Sequence, residues 1–182
     1  MKRYILTGAP GAGKTAVIRQ LEIDGFSLVE EAATDLIALW QAQGTAEPWT
    51  CPGFIDAVLN LQQTRERRAA CATDPIQFHD RSVVCTAALA DYLRVPRPQN
   101  LLNELRRVKA ESLFQSRVLF LKNLGFITPT EARRITYEET VRFEAIHVRT
   151  YRDLGFEITT IDPGSVCDRV KQLKRVLSVK QT

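Results

Sequence analysis

Eight residues near the start of the chain have the types and spacing needed to bind a polyphosphate. The segment from residue 8 to residue 15 reads GAPGAGKT and matches the pattern GxxxxGK[ST] in full. Small residues let successive backbone N–H groups turn inward around a β-phosphate, and they are Gly8, Ala9, Pro10, Gly11, Ala12 and Gly13. Lys14 would then reach the β- and γ-phosphates, and the Thr15 hydroxyl would ligate Mg²⁺. We therefore predict a site for ATP, or alternatively GTP, with Mg²⁺.

Carboxylates follow two predicted strands, where phosphoryl transfer would use them. Asp80 lies in the segment FHDRS and could hold Mg²⁺, directly or through water. Glu31, with Glu30 beside it, could act as the general base for an acceptor hydroxyl, and only one of the two can face the ligand. The simpler interpretations stay open, since Glu31 also suits the first turn of a helix and Asp80 also suits a helix N-cap.

Three arginines could supply positive charge to the transferring group. Arg81 could contact the acceptor or a phosphate, or pair with a neighbouring acid. Arg133 and Arg134 lie where a closing lid would bring one of them to the triphosphate, or else on an exposed helix face. His79 and His147 have no partner at metal or triad spacing, so both are interpreted as structural.

The elements around these residues alternate between strand and helix along most of the chain. Strands are predicted at 3–7, 26–30, 76–79, 117–121 and 157–161, with helices from the residues that follow each of them. This order predicts an α/β fold, a three-layer αβα sandwich with a five-stranded parallel sheet and the ligand at the carboxyl ends of the strands. Breakers between residues 41 and 53 predict a surface loop on the substrate side.

A small helical lid is expected at about residues 124–137. The segment TPTE from Thr128 to Glu131 has a capping-box pattern with proline at the first helical position. Thr136 and Glu139 repeat the capping pattern for a longer helix that reaches about Asp153. We expect one domain over residues 1–182, because 182 residues can bury a sufficient core without disulfides or metal.

Composition excludes several classes of protein. The net charge of +4 fits a polyphosphate site, and neither a long basic run nor basic and aromatic interleaving indicates nucleic-acid binding. The four cysteines show no CxxC pair, and no apolar run approaches 18 residues. Met1 leads directly into a predicted strand, so we expect no signal peptide, no membrane partner and a cytoplasmic location.

The whole chain resembles the small AAA-type ATPase-like domains related to nicotinamide riboside kinase and other P-loop nucleoside kinases. The resemblance rests on four segments: GAPGAGKT, VEEAA from residue 29, FHDRS from residue 78 and YRDLGFEI from residue 151. The similar layout of deoxyribonucleoside kinases implies that Glu31 is the base, Asp80 a metal-linked acid and Arg81 a substrate contact. It also implies lid arginines at Arg133 or Arg134 and a purine-side loop near residues 162–166.

Phosphoryl transfer from ATP to a small hydroxyl-bearing metabolite, such as a nucleoside-like compound, is the function these features favour. One alternative is a regulator that hydrolyses or senses a nucleoside triphosphate without a small-molecule acceptor, because fold and loop alone do not set the reaction. A further alternative is a kinase that acts on polynucleotide ends, with the basic helices near Arg65 and Arg106 as its footprint.

Overall fold

The computed structural model describes residues 1–125 and 136–178. These residues form a five-stranded sheet in the order β2-β3-β1-β4-β5, in which every pair of neighbours is parallel. The strands are β1 (Lys2–Gly8), β2 (Ser27–Val29), β3 (Ile76–Asp80), β4 (Arg117–Leu121) and β5 (Glu157–Ile161). Since all strands run the same way, their carboxyl ends share one edge of the sheet.

Helices cover both faces of this sheet and make the three layers. They are α1 (Lys14–Ile23), α2 (Ala33–Ala42), α3 (Phe54–Ala69), α4 (Val83–Leu93), α5 (Gln99–Ala110), α6 (Tyr137–Asp153) and α7 (Val166–Ser178). Successive side chains of a strand point to opposite faces, so Ile5 packs in the core under α3 to α6 while Leu6 packs in the core under α1 and α7. The predicted three-layer α/β sandwich is confirmed.

The strand and helix positions follow the sequence pattern closely. β4 and β5 have the predicted bounds, and the Thr136–Glu139 capping box at the start of α6 is formed, with both reciprocal hydrogen bonds present. The edge strand β2 is shorter than expected, because it pairs with β3 alone and only over residues 27–29. The surface loop after α2 includes one short 3₁₀ turn, Pro48–Thr50.

The expected lid lies mostly outside the described residues. Residues 126–135, which include the Thr128–Glu131 capping pattern and both Arg133 and Arg134, are not among them. Within the part of the chain that is described, no helix has both the length and the apolar character needed to cross a bilayer.

A buried carboxylate between α3 and α5 makes stability depend on pH. Glu66 lies in a cavity of about 540 Å³, and burial, reinforced by the nearby Glu104 carboxylate, raises the pKa of Glu66 from 4.5 to about 7. The folded chain therefore holds this proton to a higher pH than the unfolded chain does. Stability is consequently lost as the pH rises from about 4.5 to about 7.

Replacing Glu66 with glutamine is expected to raise the free energy of unfolding at pH 8 by on the order of 1 kcal/mol or more. The gain should shrink towards pH 5, where the native carboxyl is already protonated. Urea unfolding at the two pH values measures both quantities. Glu111→Gln, at the exposed rim of the same cavity, is the control and should change stability little. An equal gain at both pH values would contradict the assignment.

Candidate functional site

The glycine-rich loop joins β1 directly to α1. Gly13 has φ +73° at the N-cap of α1, and Gly11 has φ +82°, a left-handed conformation that favours glycine. A Cβ atom at Gly8 would lie 2.5 Å from the main-chain oxygen of Leu121, so only glycine fits where β1 meets β4. The helix N-terminus and its N–H groups thus face the carboxyl edge of the sheet, as anion binding requires.

A buried arginine supports this loop from behind. Arg169 on α7 is 2% exposed, and its guanidinium donates to the main-chain oxygens of Ala12 at 2.5 Å and Lys122 at 2.9 Å. A carbonyl oxygen held in this way is turned towards Arg169. The contact thereby ties the loop to α7 and to the end of β4, and it adds positive charge beside the phosphate-binding segment.

Lys14 and Asp80 meet at the mouth of the loop. The Lys14 Nζ atom lies 2.9 Å from Asp80 Oδ1, and both side chains are close to nine-tenths buried. Burial raises the pKa of Asp80, which the Lys14 charge opposes. The register of β1 and β3 places Leu6 opposite Asp80, which brings the third strand's carboxyl end beside the loop. The structure therefore brings these two predicted site residues into direct contact.

The donors near Asp80 fit a magnesium ion bound to a nucleotide. Asp80 Oδ1 is buried and has no aligned hydrogen bond among the described residues beyond the Lys14 ion pair. Thr15 is the second residue of α1 and directly follows Lys14, the ion-pair partner of Asp80. The described residues contain no cluster of three metal-binding side chains. A Mg²⁺ ion needs none here, because phosphate oxygens and waters complete its shell.

Glu31, rather than Glu30, faces the site. Glu31 Oε1 lies 3.0 Å from Arg81 Nε, and its Oε2 accepts a 2.7 Å hydrogen bond from the Thr34 hydroxyl. Glu30 is exposed and pairs with Arg19 on the outer side of α1. Adjacent residues of an extended chain point in opposite directions, so one glutamate lines the cavity and the other reaches solvent.

Arg81 is held in a conformation that aims it into the site. Its φ of +70° is left-handed, which is uncommon for a residue other than glycine, and its N–H donates to the Leu6 oxygen at 3.0 Å. The side chain pairs with Glu31, and its Nη1 lies 3.0 Å from Nε2 of the buried His147. Burial alone would lower the pKa of Arg81, but the Glu31 carboxylate and other neighbours raise it further than burial lowers it. The guanidinium therefore stays charged.

One cavity of about 520 Å³ connects these groups. The glycine-rich loop borders it, and Glu31 and Arg81 line it beyond the loop. Its remaining walls are mainly apolar and come from α2, α3, α4, α6 and the 3₁₀ turn: Ile37, Trp49, Phe54, Val58, Leu89, Leu93 and Phe143. The Thr86 hydroxyl donates to Gln62 Oε1 at 3.1 Å, which makes a polar point in this mainly apolar wall.

The sequence from residue 3 to residue 169 matches the family model described as an AAA domain. The chain belongs to this AAA domain family. A comparison with curated proteins finds no match.

Solved nucleoside and nucleotide kinases share the fold of this family member. Deoxyadenosine kinase from M. mycoides, with the products dCMP and a flexible dCDP bound, has a TM-score of 0.63 at 14% identity, over 97% of this chain and 99% of that chain. The same kinase with bound dATP has a TM-score of 0.55 at 13% identity and the same coverage. Thymidylate kinase from Candida albicans has a TM-score of 0.56 at 12% identity, over 99% and 92%.

The AAA domain match and the complete GxxxxGK[ST] loop make this chain a P-loop NTPase, and its fold is that of the nucleoside kinases. Identities of 12% to 14% show the fold alone. The activity and the acceptor must therefore be argued from the residues of this chain.

Sequence reasoning missed several residues that border the site. It gave His147 no role, and nothing pointed to Arg169, Gln62 or Thr86. The spacing from Glu139 through Phe143 and His147 to Tyr151 is four residues throughout, so all four lie along one face of α6. That periodicity could have marked His147 as facing inward, but not what it would contact.

Proposed function

We propose that this AAA domain is a kinase that transfers the γ-phosphate of ATP, with Mg²⁺, to a hydroxyl group of a nucleoside-like compound. The observation that carries the proposal is a single cavity that links a complete phosphate-binding loop to a carboxylate and an aromatic-lined space. GTP is the alternative donor.

The donor half of the site has the groups that a magnesium nucleotide needs. Backbone N–H groups of the loop and the start of α1 would bind the phosphates, with Lys14 on the β- and γ-phosphates. Thr15 and Asp80 would hold the Mg²⁺ ion, which neutralises charge on the transferring group. Arg133 and Arg134, the proposed lid arginines, would add charge from the segment that precedes α6.

The acceptor half fits a flat ring that carries a hydroxyl. Trp49, Phe54 and Phe143 offer apolar and aromatic surface to a base or similar ring. Because Gln62 Oε1 accepts from Thr86, the Gln62 amide nitrogen is the group that can donate to a polar ring edge. Deoxyadenosine kinase from M. mycoides, which has a similar fold, binds dATP, dCTP or dCMP in its solved structures, and this supports a nucleoside-like acceptor.

The reaction follows from where Glu31 lies. The acceptor hydroxyl oxygen would attack the γ-phosphorus as its proton passes to the Glu31 carboxylate. The bond from the γ-phosphorus to the bridging oxygen then breaks, and ADP leaves with the electron pair. The Glu31 oxygens contact Arg81 and the Thr34 hydroxyl, and these contacts orient the carboxylate that would take the proton.

The charge distribution favours a small acceptor over a polynucleotide end. Arg65 pairs with Asp35 at 2.5 Å, and Arg107 pairs with Glu104 at 2.6 Å and with Glu111 at 2.6 Å. The two basic stretches that could have formed a nucleic-acid footprint thus include arginines already neutralised by acids on α2 or α5. Such pairs leave less net charge for phosphate contacts along a strand.

A panel of acceptors tests the proposal. ADP formation from ATP, and GDP formation from GTP, would be measured with each nucleoside and with other small hydroxyl compounds. We expect one class of nucleoside-like compound to stimulate turnover at least about tenfold, with the phosphorylated product identified by mass spectrometry. The Lys14→Ala variant gives the background.

Two other results would replace this proposal. Slow nucleotide hydrolysis that is indifferent to every acceptor would favour the NTP-hydrolysing or NTP-sensing regulator. Phosphorylation of oligonucleotide ends, with binding that weakens steeply as salt rises, would favour the polynucleotide kinase.

A further inference from the structure

One face of α6 runs along the site and touches it at several depths. Phe143 forms part of the acceptor wall, His147 contacts Arg81, and the Tyr151 hydroxyl lies 3.0 Å from Ser82 Oγ. Ser82 caps α4 directly after Arg81 through a 3.2 Å bond from the Val84 N–H. α6 therefore contacts the turn after β3 at two points, the side chain of Arg81 and the adjacent residue Ser82.

The hydrogen bonds of His147 define which ring nitrogen carries the proton. Nδ1 lies 3.0 Å from the main-chain oxygen of Phe143, which can only accept, so Nδ1 is the protonated nitrogen. Nε2 then has a lone pair, and it faces Arg81 Nη1 at 3.0 Å. Arginine can only donate, so the two groups match.

His147 is neutral in this environment. It is fully buried, and burial, followed by the Arg81 charge, lowers its pKa to about 3. A protonated ring would lose the acceptor and repel the guanidinium. The neutral ring therefore keeps its hydrogen bond from Arg81 across the neutral pH range.

We propose that His147 is a positioning residue: its Nε2 accepts the hydrogen bond that holds the Arg81 guanidinium against Glu31. The inference rests on the proposed function, in which Glu31 is the base. Three elements that are distant in sequence are linked, since His147 on α6 holds Arg81 after β3 and Arg81 holds Glu31 after β2. The hydrogen-bonded link from His147 to Glu31 runs through Arg81.

The consequence is a defined orientation of the Glu31 carboxylate. Arg81 engages Oε1 and Thr34 engages Oε2, so each carboxylate oxygen has a contact that orients it. If His147 cannot accept, the Arg81 side chain loses the partner that holds Nη1 and can move away from Oε1. Small misplacements of a catalytic group lower the rate of the chemical step more than they lower ligand binding.

Two variants of His147 test the proposal. His147→Leu removes the acceptor, and we expect kcat to fall roughly 10- to 100-fold while the Kd for the magnesium nucleotide changes less than about threefold. His147→Gln places an amide oxygen near the position of Nε2 and should recover most of the lost rate. The readouts are kcat, the acceptor KM and nucleotide binding by calorimetry.

His79→Leu is the matched control. His79 is also a buried histidine with a pKa lowered to about 3, but it contacts Gln77 at 2.9 Å and lies on the opposite side of β3 from Asp80. It should change stability as His147→Leu does and leave kcat near the original value. Equal losses of kcat in His79→Leu and His147→Leu, or a His147→Gln variant no better than His147→Leu, would overturn the proposal.

A readout that needs no acceptor separates this inference from the proposed function. In ¹⁵N NMR of the protein without ligands, the Arg81 Nε–H signal, identified by its loss in Arg81→Lys, should be protected from exchange in the original chain and in His147→Gln. It should exchange rapidly in His147→Leu. That pattern without any active acceptor would retain the positioning role and reject the kinase. An unchanged signal in His147→Leu would reject the positioning role whether or not an acceptor is found.

Discussion

Replacing Lys14 with alanine is expected to weaken binding of magnesium nucleotides at least about 100-fold, which corresponds to about 2.8 kcal/mol. The ammonium group lies at the first position of α1, beside the loop whose N–H groups face the same point. Without it, the triphosphate loses its direct cationic partner on the β- and γ-phosphates. Calorimetric titration with ATP, GTP and a non-hydrolysable analogue measures the change.

The control for this variant is Lys109→Ala, which removes an exposed lysine on α5 and should leave nucleotide affinity unchanged. Thermal unfolding of Lys14→Ala must also be followed, because Asp80 loses its ion-pair partner. A folded Lys14→Ala variant that binds nucleotide as tightly as the original chain would remove the basis for every other assignment in the donor half.

Replacing Glu31 with glutamine should lower turnover while leaving nucleotide binding nearly unchanged, in contrast to Lys14→Ala, which should weaken binding itself. Turnover is expected to fall by about 10²- to 10⁴-fold, because an amide cannot take the acceptor proton. The Kd for the nucleotide should stay nearly the same, since the proposed phosphate contacts come from the loop backbone, Lys14 and Mg²⁺ and not from Glu31. The two kinetic parameters kcat and kcat/KM should decrease together, as they do when an interaction made only in the transition state is lost.

The adjacent Glu30 provides a close control. Glu30→Gln makes the same chemical change one residue earlier, at an exposed position that pairs with Arg19. We expect its turnover to remain within about twofold of the original, as for a surface substitution. If the two variants lost activity equally, or if Glu31→Gln lost nucleotide binding in proportion to turnover, Glu31 would not be the base.

The local sequence pattern was sufficient to predict the order of strands and helices and the phosphate-binding loop. β4 and β5 were predicted at their observed bounds, because short apolar runs between turn residues depend little on distant contacts. α3 ends at Ala69, although Ala70 and Ala72 favour helix, because the chain then turns towards β3. Helix ends depend on the following packing more than on propensity.

By itself, the sequence determined that this chain is an α/β protein with a phosphate-binding loop, since GAPGAGKT acts through eight consecutive residues and the strand and helix that flank them. Only the tertiary structure decided that Glu31 faces the cavity and that Arg81 and His147, 66 residues apart, form one hydrogen-bonded pair. It also decided that Arg169 supports Ala12 across 157 residues. Such contacts depend on the order of strands in the sheet and on the packing of helices against it. Neither can be read from the local pattern of a single sequence.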